Sequence, residues 1–489
     1  MDEGSYPHPE VVRLVNERFV AIRVDTDHRP DINERYNQGG WPTCAVLDAD
    51  GEVLLGRLYM PAHELIQVLA SSSTPGQRWV IGKAAATQPP DAPATAAEVF
   101  AQVERAYDPY HGGFGDLEKF PHTATLEWLL DRQQRGLVDG EMLAKTLDAM
   151  AGQALCDKVE GGFFRYATRD DWQDVHYEKL LDDNARLLHV FLRAGTHAMH
   201  AQMAARWLVR VLWRDDVRAF AGSMDADENY YADRSRMGAP PRVDPTVYAG
   251  WNALAAKSLF RAAAAWNRPG LAGLALAALA YVRDRVRADG AVLRNEAGVY
   301  GLLDEQAHVT EAFAVAAQWT GDSAWLAAAE RVLAFAESLA IPGGFRDGPA
   351  GGVGLLREIR RALPGNAALG EAAWRVHVLT DNPRWLDLAK AALEGAEAEA
   401  RRYGFMAAAA GALRERVDAK GVVIKVSRND LLFREMWCEP DPDLWVRRGS
   451  DGVSAGHALA CSGAACARPT ADVAELRRHV AMLRAATSR

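Results

Sequence analysis

Residues 160–192 read EGGFFRYATRDDWQDVHYEKLLDDNARLLHVFL: a glycine-aromatic loop of about twenty residues running straight into an amphipathic helix. The "GGF" that opens it recurs in YDPYHGGFGDLEKFPH (107–122) and in IPGGFRDGPAGG (341–352). Loops longer than about a dozen residues inside a compact domain usually serve a site. Around them run about twelve alanine- and leucine-rich segments with helical spacing: 95–107, 122–134, 139–155, 178–196, 198–213, 245–265, 268–287, 305–319, 322–340, 366–379, 381–399 and 401–416. Such a series builds either an open solenoid or a closed toroid of helical hairpins. The recurrence of one loop type favours the toroid, with the loops at one mouth.

The flanks differ. Residues 1–85 read as α, β, α, β, β, α: a helix in HPEVVRLVNERF, a strand in FVAIRVD (19–25), a short helix in RPDINERYN, a hairpin in TCAVLDADGEVLLGRLY and a helix in PAHELIQVLASSS. ATQPPDAPATAAE (86–98) has the composition of a linker. Residues 95–417 hold the helical series. Residues 418–489 form a strand and helix extension, starting with GVVIKVS and ending in the helix TADVAELRRHVAMLRAA.

The 489 residues carry a net charge of −9, 49 % hydrophobic and 25 % charged side chains. An acidic balance disfavours nucleic acid and anionic membrane as partners. No apolar run is long enough to span a bilayer. The N-terminus lacks the apolar core of a signal peptide, and five cysteines are too few for a disulfide framework. A reducing cytoplasm is the expected compartment, with Cys461 and Cys466 as free thiols.

Together, FVAIRVDTDHRPDINERY, QGGWP, YDPYHGGFGDLEKFPH, GGFFRY, VHYEKLLDDNARLL, SMDADENYY, YAGWNALAAKSL and CSGAACARPTAD resemble the spermatogenesis-associated protein 20 family. The resemblance implies a mainly α protein: an (α/α)6 six-hairpin toroid behind a truncated thioredoxin-like α/β segment, with a small C-terminal α/β extension. It also implies kinship with N-acylglucosamine 2-epimerase and glycosidase barrels. In that family a Cys-His-Trp-Cys-His motif precedes the stretch matching residues 1–20. Here the chain begins at Met1 and GGWP faces no redox pair, so no dithiol reductase is expected.

In VHYEKLLDDNARLLHVFL, His176, Leu180, Asp183, Asn184, Leu187 and Phe191 share one helical stripe, placing His176, Asp183 and Asn184 on the inward face. Glu178 and Lys179 flank them; Glu178 also suits the helix dipole. His122, with Lys119 before it, follows a loop like the one before His176. Two histidines at one mouth suit a 1,1-proton transfer. His122, His176, Asp183 and Glu178 are therefore the candidate catalytic residues, against a structural network or cap. Lys119, Lys179, Asn184, Asp225, Asp227, Trp251, Asn252, Tyr166 and Trp172 are the candidate substrate contacts: carboxylates for sugar hydroxyls or a glycosidase pair, aromatics for a sugar face. Asp304, His308 and Glu311 at i, i+4, i+7 complete the inventory. No metal or cofactor motif is present. The expected ligand is a small sugar-like molecule, handled by epimerase/isomerase-like or glycosidase-like chemistry; the alternatives are a redox or non-catalytic scaffold protein.

Overall fold

The computed structural model describes residues 1, 4–72, 92–232, 236–419, 421–449 and 452–487. The chain divides into two compact units, Met1–Pro89 with Asp347–Arg360, and Pro90–Arg346 with Arg361–Arg489. Most of the expected linker, 86–91, lies outside the described residues.

The first unit holds helices α1 (Pro9–Arg18), α2 (Pro30–Tyr36) and α3 (Ala62–Ser72) and an antiparallel hairpin of Cys44–Leu47 with Val53–Arg57. Pro9 opens α1, where its missing N–H costs nothing. Val11 and Leu14 on its buried face meet Met60, Leu65 and Leu69. Asp48 makes the hairpin turn, its Oδ1 accepting the amides of Asp50 and Glu52 at 2.9 Å each. The Trp41–Pro42 bond is cis. The strand expected at 19–25 does not form, and Val20 and Ile22 are exposed. Its alternation is strand-like, but among the described residues the two hairpin strands pair only with each other, and an unpaired strand has no ladder to join. The glycine-rich loop expected at the barrel mouth also divides: residues 347–360 belong to the first unit. There Arg35 forks onto Asp347 at 2.6 and 2.9 Å, and the Tyr36 hydroxyl donates to Gly51 O (2.8 Å) while accepting Leu355 N–H (3.0 Å).

In the second unit every one of the twelve predicted segments is a helix. They are α4 (Ala96–Ala106), α5 (Thr123–Gln134), α6 (Glu141–Gly152), α7 (Leu181–Ala194), α8 (Ala198–Trp207), then, after a short α9 (Glu228–Ala232), α10 (Ala249–Ala265), α11 (Pro269–Arg283), α12 (Leu303–Thr320), α13 (Ser323–Glu337), α14 (Leu363–Thr380), α15 (Pro383–Tyr403) and α16 (Ala408–Asp418). Helices α5, α7, α10, α12, α14 and α16 pack each on the next, and α16 returns to α5. Their companions α4, α6, α8, α11, α13 and α15 form the outer layer. Closure excludes the solenoid. It is sealed where Trp128 Nε1 donates to Glu415 Oε2 at 3.0 Å and Arg416 reaches Asp131 at 2.7 Å. Since an outer helix runs back between successive inner ones, the inner six run the same way and their positive ends converge on one mouth.

The hairpin loops explain their glycines. Gly113 (φ +81°) lies on the Trp172 ring, where a β-carbon would stand 2.5 Å from Cζ2. Gly162 (φ +79°) lies on Trp207 in the same way.

At the C-terminus, Val422–Val426 runs between a parallel Leu444–Arg448 and an antiparallel Ala458–Ser462, which turns back through Ala465–Cys466. Helices α17 (Asp430–Trp437) and α18 (Val473–Thr487) cover this sheet, with Ile424, Phe433, Val446 and Leu476 in its core. Cys461 and Cys466, expected as free thiols, form a disulfide. They sit directly opposite each other across the hairpin, which the C-x4-C spacing alone did not show. Among the described residues no helix is long and apolar enough to cross a membrane.

Candidate functional site

A cavity of about 350 Å³ runs along the barrel axis, and each inner helix presents to it a stripe at three- and four-residue spacing. On α7 the stripe is Arg186, His189 and Arg193; on α10, Lys257 and Arg261; on α12, Asp304, His308, Glu311 and Gln318; on α14, Glu371 and Arg375. Trp437, Leu444 and Trp445 of the C-terminal extension line its floor. Trp445 packs at 5.1 Å on Trp374, with the Arg375 guanidinium 4.1 Å from its ring.

The polar stripe of α7 is not the one the sequence suggested. Asn184, Leu187, Leu188 and Phe191 are buried in the protein core, and the wall of the cavity begins at Arg186. The sequence reading assumed that an apolar face looks inward. In a toroid both faces of an inner helix are covered, and the axial face is the wetter one.

One turn above Arg186 stand Asp182 and Asp183. Burial and the adjacent Asp182 push the Asp183 carboxyl up to about 8. Asp182 is raised too, by burial, and its Oδ1 is buried without a hydrogen-bond partner. Across the axis, His308 Nε2 stands 3.1 Å from Arg186 Nη2. Burial and the Arg186 charge pull this imidazole down to about 3. It is therefore neutral, with Nε2 accepting from Arg186 and its proton on Nδ1. Below, Glu311 takes Lys257 at 3.1 Å and Arg375 at 3.0 Å; although burial pushes it up, these two cations bring it to about 2.

The predicted residues divide into three groups. Glu178 pairs with Arg165 at 2.7 Å and with His176 at 3.6 Å, and the Arg165 charge reaches Asp183, so His176, Glu178 and Asp183 share one rim. Trp251, in the first turn of α10, belongs to the same end; Arg294 stands 5.7 Å from its ring and its charge reaches Asp182. His122 is held at about 4 by burial and by Lys119. It is separated from His176 by Phe120 and Tyr166, stacked at 4.6 Å, so the two imidazoles do not face each other over one atom.

A second group is consumed by the hairpin loops. Lys119 is fully buried on Asp108 (3.0 Å) and Gly115 O (2.6 Å); Lys179 repeats this on Asp157 (2.5 Å) and Gly161 O (2.9 Å). Asn184 accepts Phe163 N–H at 2.7 Å and donates to Phe163 O and Leu180 O. Asn252 does the same with Phe220 and Tyr248, and Asn366 with Phe345 and Ala362. Each amide ties a loop phenylalanine to the head of an inner helix and leaves nothing to offer a ligand. Trp172 is buried, its indole donating to His111 O and Gly112 O at 3.2 Å each.

The third group stands away from the cavity wall. Asp227 accepts Tyr230 N–H at 2.9 Å at the head of α9, and Asp225 lies 3.7 Å from Arg242. A carboxylate pair built on them does not reach the axis. The residues the prediction passed over, Arg186, His189, Lys257, Arg261, Glu371 and Arg375, had a legible signal: ionisable side chains three or four apart inside alanine-rich helices otherwise fit for burial.

The family Thioredox_DsbH, described as "Protein of unknown function, DUF255", matches residues 1–74. Spermatogenesis-associated protein 20 of Rattus norvegicus is 30 % identical over 233 residues, which is 40 % of this chain and 30 % of that protein. The Homo sapiens protein is 29 % identical over 236 residues, with the same coverage. The match thus spans about a third of the length of these curated relatives. Among solved structures, a D-mannose isomerase superposes with a TM-score of 0.50 over 65 % of this chain and 96 % of its own, at 10 % identity, a likeness of fold. The chain is thus similar to the spermatogenesis-associated protein 20 proteins over part of its length and to the Thioredox_DsbH family over residues 1–74, and its second unit has the (α/α)6 barrel fold.

Proposed function

We propose that the barrel binds a small sugar-like molecule in its axial cavity and moves a proton between adjacent carbons of it, an aldose–ketose isomerisation. The observation that supports this most directly is the neutral His308 on the cavity wall, held by Arg186, with the raised Asp182 and Asp183 carboxyls one turn above Arg186 on α7. Two neighbouring carboxyl groups that raise one another in this way share a proton near neutral pH. Asp182, with an unpartnered oxygen, takes the C2 proton and returns it to C1; the Asp183 carboxyl gives its proton to O1 and takes one back from O2. The neutral His308 donates Nδ1–H to the sugar oxygen as charge develops on it, and its lowered basicity keeps that proton in place as a hydrogen bond.

Both acidic groups come from the same turn of one helix. A proton taken and returned on the same face suits transfer from C2 to C1, whereas 2-epimerisation needs groups on opposite faces. Incubation of the chain with aldoses and ketoses in deuterated water tests the reading by proton NMR. Deuterium entering C1 or C2 is expected, and is lost in Asp182→Asn and His308→Phe. Exchange that survives both substitutions, or exchange with inversion at C2, would sink it.

A further inference from the structure

We propose that the lower end of the same cavity is an anion site, in which Arg261, with Lys257 and His189 beside it, holds a phosphate monoester carried by the sugar. The inference rests on the isomerase reading and adds the class of its substrate.

Charge balance is the starting point. Among the carboxylates along the lower wall, Asp131 and Glu371 hold Arg193 and Arg416, and Glu311 holds Lys257 and Arg375. Glu439 and Asp441, at the floor, turn to Arg477 and Arg484. Arg261 has no such partner among the described residues. Its guanidinium donates to two backbone carbonyls, Cys438 O at 3.2 Å and Glu439 O at 3.5 Å. The strongest charge acting on it is another cation, Arg193; burial and that repulsion, opposed in part by Cys438, draw it down to about 10. A half-buried cation without a carboxylate partner still carries a desolvation cost, and the fold retains one here.

His189 strengthens the case independently. Its Nδ1 is buried with no hydrogen-bond partner, and Lys257, Arg261, Arg193 and Arg375 all act on the ring. Of the four cations acting on this neutral imidazole, Arg193, Lys257 and Arg375 are paired with Asp131 and Glu311, and Arg261 is the one whose charge an anion would balance. His308 and Arg261 line the same cavity, so a sugar held at His308 has its far end directed down the axis toward Arg261.

Calorimetry and thermal shift on the full chain, with glucose 6-phosphate, glucose, glucuronate and inorganic phosphate as probes, test this. Glucose 6-phosphate is expected to bind at least about tenfold more tightly than glucose, and Arg261→Met to erase that difference. Inorganic phosphate alone is expected to raise the melting temperature of the wild type and not that of Arg261→Met. Arg261→Lys, which keeps the charge, retains part of the gain and controls for misfolding. Equal binding of glucose and its 6-phosphate, with no effect of inorganic phosphate, would overturn the anion site and leave the isomerase reading standing. Preference for glucuronate over glucose 6-phosphate would overturn the phosphate assignment. Stabilisation by phosphate without binding of any sugar would keep the anion site and remove the isomerase reading.

Discussion

Nη2 of Arg186 on α7 stands 3.1 Å from Nε2 of His308 on α12, so a permanent charge caps one lone pair of a buried imidazole. Burial and this neighbour together hold His308 at about 3. Arg186→Gln removes the largest of the charges that lower it, leaving burial and the weaker effects of Lys257 and Arg294. The titration of His308, followed by NMR, is expected to move up by roughly one unit. An unmoved titration would mean that the Arg186 charge does not contribute to it. The sign for stability follows: a depressed histidine contributes above its unfolded value, near 6.5, and that contribution is lost as pH falls toward 3. His308→Phe should flatten the acid limb of the stability curve.

Asp183 has the opposite sign. Its folded value, raised to about 8, means that the folded state prefers the protonated form. The contribution is complete below its unfolded value, near 3.8, and is lost as pH rises through 8. Asp183→Asn is expected to raise the melting temperature at pH 8.5 and to leave it nearly unchanged at pH 4. Equal effects at both pH values would show that the pair does not share a proton.

Asn184 predicts a purely structural loss. Its amide serves one N–H and two carbonyls of a buried loop. Asn184→Ala should cost about 2–4 kcal/mol in urea unfolding, since the orphaned groups stay buried. Asn252→Ala and Asn366→Ala should cost similar amounts, because the same device stands at the heads of α10 and α14. A loss under about 1 kcal/mol would show that water replaces the amide.

The three free cysteines are all unreactive by environment. Burial pushes Cys44 up, Cys156 up to about 11, and Cys438 up. At pH 7 the chain should react slowly with iodoacetamide and should not catalyse insulin reduction by dithiothreitol. Catalysis abolished by Cys44→Ser would contradict this.

The helical series was legible because twelve segments carried a 3.6-residue apolar period strong enough to survive without neighbours. Closure into a ring was suggested only by the repeated GGF loops, and those loops turned out to hold the barrel's structural clamps. The site was legible in part. Asp183 is recognisable as a carboxylate where a helix opens, and Asp304, His308 and Glu311 by their spacing. Lys119, Lys179, Asn184 and Asn252 looked like ligand contacts because polar residues near a mouth invite that reading; their partners are backbone groups brought close by the fold. The strand at 19–25 could not be judged from its own residues, since a strand exists only through a neighbour.

Ring closure has a consequence for how the barrel is made. The contacts that seal it join Asp131 to Arg416 and Arg132 to Glu415, 285 and 283 residues apart in the chain. During synthesis α5 leaves the ribosome long before α16 exists, and until then the flank of α5 that α16 will cover is bare, Trp128 included. Five-sixths of a toroid is a structure with two sticky ends. Translation at about 5–20 residues per second leaves that gap open for tens of seconds. A nascent chain of this kind needs shelter during that interval, from a chaperone or from loose internal collapse, and a truncation just before α16 should aggregate rather than fold.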